Sequence, residues 1–473
     1  MKNKYSLTAA LTLIVSILFV AVSGCTPEPG ETIIQEVEVM VAGPTITFWS
    51  FENQPSRAAI TQEIIADFTA ETGINVELVL IDQSSMDSIM ASNFAANTVP
   101  DVVFVPITLV GGWYADGILD SVAASSVIEA LGEDTFSQGA LSMVSVDDGY
   151  SAVPSDGWGQ LLIYRKDLFE KYGLESPTDY DKILTAAQTL EENGYIGIMA
   201  GTDPGHNHTQ STFEQFALAN GVTLTDSDGN ITLNTPAMVH AIDTYSTLMT
   251  EYGPKDTATY WMQSRATYFA GQAGMVSWSP FILDDMAGLV DSILPNCPEC
   301  LDDPAYLAKN SGIVGPISGP DGGPAQYGKV NYMGITTGAD TEAAKQFVEY
   351  WLNDGYLRWL GVDAGGKFPM RRGTPDNPNV FVEGWSQLEV GVDRRGALSD
   401  FYSQETLDLL IQGANNLTGL GVREGELELV SAMYSELVFP RYVGEVMQGY
   451  LTPEEAAEMI QMEVEELQAA LSE

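Results

Sequence analysis

The sequence predicts an α/β protein of two lobes, set behind an export leader. Three observations carry that prediction. From Thr45 the chain runs strand, helix, strand, helix, strand, each read from its hydrophobic spacing. A βαβαβ run of this kind implies a parallel sheet flanked by helices. Removing the first 24 of 473 residues leaves 449, too many for one simple core. A content of 45% hydrophobic and 10% aromatic residues is that of a well-packed globular body rather than a disordered one.

The elements follow in order. Lys2 and Lys4 precede the apolar run Leu7 to Val22, which is short for a bilayer span of roughly 20 residues. A basic start, a short apolar middle and a small-residue exit describe a signal peptide over 1–24. The exit Val22-Ser23-Gly24-Cys25 resembles the bacterial lipobox, in which the cysteine becomes the lipidated first residue of the mature chain. The alternative is a buried cysteine in a signal-anchor helix. On the lipobox reading, residues 25–44 are a lipidated flexible tether, rich in Pro, Gly and Glu and poor in packing residues. No second apolar run approaches span length, so the mature body is expected to be soluble, outside the cytoplasm and held at the membrane by its lipid.

"TITFWSF" reads as a buried strand, and "PSRAAITQEIIADFTAETG" as a helix with Ile60, Ile64 and Phe68 four apart and Gly73 as its stop. "INVELVLI", "MDSIMASNFAAN" and "VPDVVFVP" continue the alternation. Ligands on such sheets sit beyond the carboxyl ends of the strands, which nominates Trp49, Ser50, Phe51 and the Pro106 to Thr108 loop. "QLLIY" is a further strand. Asp226, Asp228 and Asn230 superficially resemble a calcium loop but lack its glycine position and distal Glu, so a turn is expected at Asp228-Gly229. "GIVGPISGPDGGPAQYG" is expected to be loop, with a crossing between lobes close by. Ala344, Phe347 and Trp351 mark one helix. The last helix opens with the capping box Thr452-Pro453-Glu454-Glu455 and carries Ala456, Ile460, Val464, Leu467 and Leu471 on one face.

Charge narrows the function. With the two leader lysines gone, 18 Lys and Arg face 65 Asp and Glu, a formal net charge of −47. Nucleic acid is excluded as a partner, because phosphate binding needs clustered cations. A solvated acidic surface is the simplest reading of the excess, and a cationic ligand is the other. Cys297 and Cys300 form a C-x-x-C pair, which can serve zinc, redox chemistry or a small disulfide loop. Zinc wants four ligands and no second pair exists, so a structural disulfide is expected outside the cytoplasm. His206-Asn207-His208 lacks a nearby third ligand, and neither a metal nor a cofactor is assigned.

Several stretches, in this order, resemble the extracellular solute-binding proteins of ATP-driven importers, in the group that includes the maltose-binding protein. "ITFWSFENQP" is similar to the opening strand and ligand loop. "IIADFTAETGINVELV" is similar to the first helix and second strand. "NTVPDVVFVPITLVGGWYADGILDSV", "YSAVPSDGWGQLLIYRKDLFEKYGL", "FAGQAGMVSWSP" and "FPMRRG" follow, and then the closing helix after "LTPEEA". The resemblance runs from about residue 45 to the end of the chain. It implies a two-lobed periplasmic-binding-protein fold with a ligand cleft between hinged lobes. The expected assignment is 45–153 and 311–366 to lobe 1, with 154–310 and 367–473 to lobe 2. Carried over by position, cleft contacts fall at Trp49, Ser50, Phe51, Thr108, Asp156, Trp158, Trp278 and Arg371, with His208 and Gln210 in the helix beginning near Thr209. His208, Gln210 and Ser211 depart from the maltose binder's aromatic-rich pattern.

A sugar offers hydroxyls in its ring plane and C–H patches on its faces, so a sugar pocket wants flat aromatics and polar partners. Trp49, Trp158, Trp261 and Trp278 are the stacking candidates; Ser50, Thr108, Asp156, Gln160, His208 and Gln210 are the hydroxyl partners. The expected function is capture of a mono- or oligosaccharide by a monomer, with delivery to the transmembrane subunits of an ABC permease and without catalysis. The alternatives are the same fold with a polyamine, a phosphorylated polyol or iron, and a lipid-anchored glycoside hydrolase, which would need two carboxylates across a scissile bond.

Overall fold

The computed structural model describes residues 43–473 apart from 148, 256, 257, 414, 415, 423, 472 and 473. The predicted leader, Cys25 and nearly all of the tether lie outside the described residues. Strand β1 (Thr45–Ser50) pairs in parallel with β2 (Asn75–Leu80) on one side and β3 (Val102–Pro106) on the other. Helix α1 (Pro55–Thr72) makes the first crossover; it starts with proline at its first position and ends on Gly73, whose φ of 75° suits a residue without Cβ.

The chain then adds strands that pair antiparallel, apart from the last, which pairs in parallel with its neighbour. β4 (Val153–Gly159) leads into β5 (Leu161–Arg165) with only Gln160 between them. β6 (Met275–Trp278), β7 (Ser311–Val314) and β8 (Gln326–Ile335) follow, then the short β9 (Phe368–Pro369) and β10 (Leu417–Thr418). The seven-stranded sheet runs β9-β4-β8-β3-β1-β2, with β10 also on β8, and a three-stranded sheet runs β6-β5-β7.

One core lies against the large sheet and one face of the small sheet, and a second lies against the small sheet's other face. In the large sheet Phe48 meets Phe347 at 5.1 Å and Trp351 at 5.5 Å, and Phe68 of α1 meets Phe347 at 5.2 Å. The helical spacing of Ala344, Phe347 and Trp351 is thereby buried as expected, on the helix Thr341–Leu352. The small sheet is covered on both faces. Leu162, Met275 and Val314 point into a second core built mostly from helices, while Leu161, Ile163, Val276 and Ile313 point the other way. The last helix, Pro453–Leu471, seats Ala456, Ile460 and Val464 in that second core. Its capping box is formed: the Thr452 N–H donates to Glu455 Oε2 at 2.9 Å, and the Glu455 N–H donates to Thr452 Oγ1 at 3.2 Å.

Two segments pass between the sheets, Gln160 and the run from β7 to β8, and β10 packs beside them. They are locked side by side. Gln160 donates its N–H to the Tyr327 carbonyl at 2.8 Å and accepts from Gln326 Nε2 at 2.9 Å. Leu417 of β10 fills the space left by two glycines, since a Cβ on Gly159 or Gly328 would stand 2.7 or 2.6 Å from Leu417 Cδ2.

Two sequence expectations need correction. Residues 154–159 and 368–369 belong to the large sheet and 311–314 to the small one, so the boundaries expected at 153/154, 310/311 and 366/367 are displaced. Hydrophobic runs show that strands exist but not which sheet they join. Gly312 to Val314 and Gln326 to Gly328, expected as loop, form parts of β7 and β8; at Gly312 only glycine fits, since a Cβ there would lie 2.2 Å from Tyr164 Cζ. The Asp226 turn is as expected, with Asp226 Oδ1 accepting the N–H groups of Asp228 and Asn230, each at 2.9 Å. Cys297 and Cys300 are joined in a disulfide. Among the described residues no helix is long and apolar enough to cross a membrane.

Candidate functional site

The register of β4 against β8 builds a floor where the two sheets meet. Trp158 stands opposite Lys329, and Asp156 opposite Asn331. Because side chains alternate, these four and Tyr327 share one face. Trp158 is half-buried and presents its ring edge-on to Tyr327 at 6.1 Å and Phe281 at 6.4 Å.

At the large-sheet end of this floor lies a chain of buried charges. Asp156 is fully buried; its Oδ1 accepts from Trp359 Nε1 at 2.6 Å and its Oδ2 from Asn331 Nδ2 at 3.1 Å. Lys367 Nζ lies 3.2 Å from the same Oδ2, 2.6 Å from Glu52 Oε1, and 4.3 Å from the centre of the Trp359 ring. Arg57 at the start of α1 pairs with Glu52 and, at 2.7 Å, with Asp363 Oδ2. Burial works against ionisation of Glu52, but the charges of Lys367 and Arg57 outweigh it and hold its carboxyl below the usual range.

At the small-sheet end lies an aromatic cluster. Trp278, the last residue of β6, is only 6% exposed, whereas Trp261, which opens the helix Trp261–Phe269, is 39% exposed. Their rings meet edge-on at 6.1 Å, and the guanidinium of Arg265 lies 5.7 Å from one ring centre and 5.9 Å from the other. Arg265 also pairs with Asp285 at 2.7 Å. The His208 ring is 5.6 Å from Trp278, and burial, with His206 adding to it, pushes this imidazole down to about 3, so it is neutral. His208 Nε2 and Gln210 Oε1 are buried without a hydrogen-bond partner among the described residues.

A cavity of about 620 Å³ opens beside these two ends. Ser56, Ile60 and Asp363 line one wall, and Arg265, Phe281 and Asp284 the other. Burial, then the charges of Asp285 and Asp363, push the Asp284 carboxyl up to about 7. A raised acid binds protons more tightly in the folded than in the unfolded chain, so its contribution is full below the ordinary value of 3.8 and is lost as pH rises through about 7. The expected result is that Asp284→Asn gains stability relative to wild type as pH climbs across that window, with Arg265, Arg57, Asp285 and Asp363 unchanged around it. Urea midpoints of both proteins between pH 4 and 8 measure this; parallel curves would exclude it.

The structure gathers only part of the predicted site. Asp156 and Trp158 lie on the floor, and His208, Trp261 and Trp278 lie together at its small-sheet end. Gln210 lies on the helix Asn207–Ala219, with its Nε2 3.5 Å from Glu214 Oε2. Gln160 donates to Ser277 Oγ at 3.0 Å and belongs to the crossing itself. Trp49 is buried in the large-sheet core, Ser50 accepts the Glu52 N–H at 3.2 Å, and Phe51 packs 5.4 Å from Phe104. Thr108 is half-buried in the first turn of Ile107–Ala115.

Arg371 is a correction. It is 1% exposed and spends its donors on the protein itself, on the Leu131 and Leu352 carbonyls, each at 2.8 Å, and on Asn353 Oδ1 at 2.6 Å. Its guanidinium sits between the Phe136 and Phe381 rings, at 5.8 and 5.2 Å. Its Nε donates to Thr135 Oγ1 at 3.2 Å, so four of its five N–H groups are spent inside the protein and burial keeps a guest away. Sequence reasoning missed Glu52, Arg57, Arg265, Asp284, Lys329 and Lys367. Glu52 and Arg57 had a signal, since both follow the carboxyl end of β1; the others had none.

Residues 52–357 match the family described as bacterial extracellular solute-binding protein. The Escherichia coli (strain K12) protein YcjN, named as an ABC transporter periplasmic-binding protein, is 27% identical over 80% of this chain and 84% of its own length. Among solved structures, MalE of Xanthomonas citri superposes with a TM-score of 0.69 at 17% identity, covering 90% of this chain and 98% of that one. Maltose-bound MalE3 of T. maritima superposes at 0.62 and 19% identity, covering 90% and 100%. A solute-binding protein from Agrobacterium radiobacter K84 in complex with ribitol does so at 0.62 and 20%, covering 90% and 99%. At these identities the structures establish the shared two-lobed fold. With the match over residues 52–357 added to that fold, the chain belongs to the bacterial extracellular solute-binding protein family.

Proposed function

We propose that this protein captures a neutral mono- or oligosaccharide between its lobes and hands it to the permease of an ABC importer. The observation that carries the reading is the pairing of Trp261 and Trp278 beside a cavity lined with charged and polar groups. Indole faces suit the C–H patches of a sugar ring, and fixed polar groups suit its hydroxyls. Structurally similar proteins carry maltose and ribitol, which supports the same ligand class. Lipidation at Cys25 would hold the monomer at the outer face of the cytoplasmic membrane, within reach of the permease. The adjacent crossings at Gln160 and between β7 and β8 would serve as a hinge on which the lobes close over a guest as rigid bodies.

Tryptophan fluorescence and titration calorimetry against glucose, maltose, laminaribiose, ribitol and tagatose test the reading. Saturable binding of at least one, with a smaller radius of gyration in solution scattering, is expected. No binding by any of them, or turnover of a bound oligosaccharide, would overturn it.

A further inference from the structure

The floor holds a second group of side chains, on the far side of Trp158 from the Lys367 charges. Glu214 is buried and already bonded: it accepts the Leu420 N–H at 2.8 Å and the hydroxyl of Tyr434, which in turn lies 2.8 Å from the Tyr327 hydroxyl. Two neighbours are not. Gln210, 1% exposed, points its Nε2 toward Glu214 at 3.5 Å and leaves Oε1 without a partner among the described residues. Lys329 holds its ammonium 5.4 Å from the centre of the Tyr434 ring and makes no hydrogen bond or ion pair among the described residues. Burial pushes the Lys329 ammonium down, with the Glu214 charge pulling the other way.

Lys329 is one of only 20 basic residues against 65 acidic ones, and its half-buried ammonium is paired with none of them among the described residues. A buried amide oxygen with no donor is costly. Both groups stand beside Glu214, which marks a place completed from outside. One carboxylate and one ammonium already balance, so a charged guest would add a buried charge without a partner. A hydroxyl satisfies both idle groups: its oxygen accepts from the ammonium and its hydrogen goes to the amide oxygen.

Resting on the carbohydrate reading above, we propose that Lys329 Nζ and Gln210 Oε1 form a subsite on the hinge floor that receives uncharged sugar hydroxyls against Trp158, and so select neutral sugars over uronates and amino sugars. Neither group titrates into the ligand; their part is to position and discriminate.

The test compares wild type with Lys329→Met and Gln210→Leu, by calorimetry with whichever of glucose, maltose, laminaribiose, ribitol and tagatose wild type binds best. Each variant is expected to lose at least about tenfold in affinity. Unliganded Gln210→Leu is expected to unfold at the wild-type temperature or above, because the oxygen it removes bonds nothing among the described residues and its amide nitrogen reaches Glu214 only at the long distance of 3.5 Å; a merely structural role would lower it. Glucuronate and glucosamine are expected to bind at least about tenfold more weakly than glucose. Wild-type affinity in both variants, or preference for either charged sugar, would overturn the subsite while leaving sugar capture intact. Failure of wild type to bind any of the five sugars would overturn both.

Discussion

Lys367→Met is expected to destabilise the protein by about 3–5 kcal/mol, the usual cost of removing one member of a buried ionic cluster. Lys367 is 3% exposed and touches Glu52 Oε1 at 2.6 Å and Asp156 Oδ2 at 3.2 Å. Glu52 would keep Arg57, but Asp156 would keep only neutral donors, those of Ser155, Trp359 and Asn331. Methionine replaces the stem and its packing on the Trp359 ring, so the loss isolates the charge. The double variant Lys367→Met with Asp156→Asn should recover part of it, because the stranded carboxylate is gone. Urea denaturation with linear extrapolation measures both. A loss under about 1 kcal/mol in the single variant would mean that the cluster behaves like an exposed ion pair.

The second large effect concerns Trp278. Trp278→Leu is expected to weaken sugar binding by about 2–4 kcal/mol, or roughly 30- to 1000-fold, as for a buried aromatic anchor at a binding centre. Leucine is chosen over alanine because Trp278 also belongs to the core, where a large cavity would itself unfold the site. Arg265 keeps its Asp285 partner, so the variant removes a plate without freeing a charge. Trp261→Leu should cost less, near tenfold at most, because at 39% exposure that ring still faces water. Calorimetry on both variants gives the ranking. Equal losses, or an affinity for Trp278→Leu within about twofold of wild type, would place the guest elsewhere.

The elements were legible in the sequence because each rests on local spacing. Ile60, Ile64 and Phe68 announce α1, Gly73 its stop, and Thr452 to Glu455 the cap of the last helix, all as found. The candidate site was legible where a residue type is informative by itself, as with Trp158, Trp261 and Trp278. It was misread where function and folding compete for the same chemistry. Arg371 looks like a ligand clamp in "FPMRRG", but nothing in six letters shows that the Leu131 and Leu352 carbonyls will claim its donors.

What the chain by itself determined, then, is its periodicities, its caps, its acidic balance and the order of motifs that places it in its family. Those depend on neighbours a few residues apart. Only the tertiary structure decided that Asp156, Glu52 and Lys367 share one buried cluster, that Lys329 stands across from Trp158, and that Gly312 completes a strand against Tyr164. The partners in each case are brought together by strand register and hinge crossings over separations as large as the 315 residues between Glu52 and Lys367. Burial and electrostatic shifts are properties of the assembled surroundings, and no local pattern carries them.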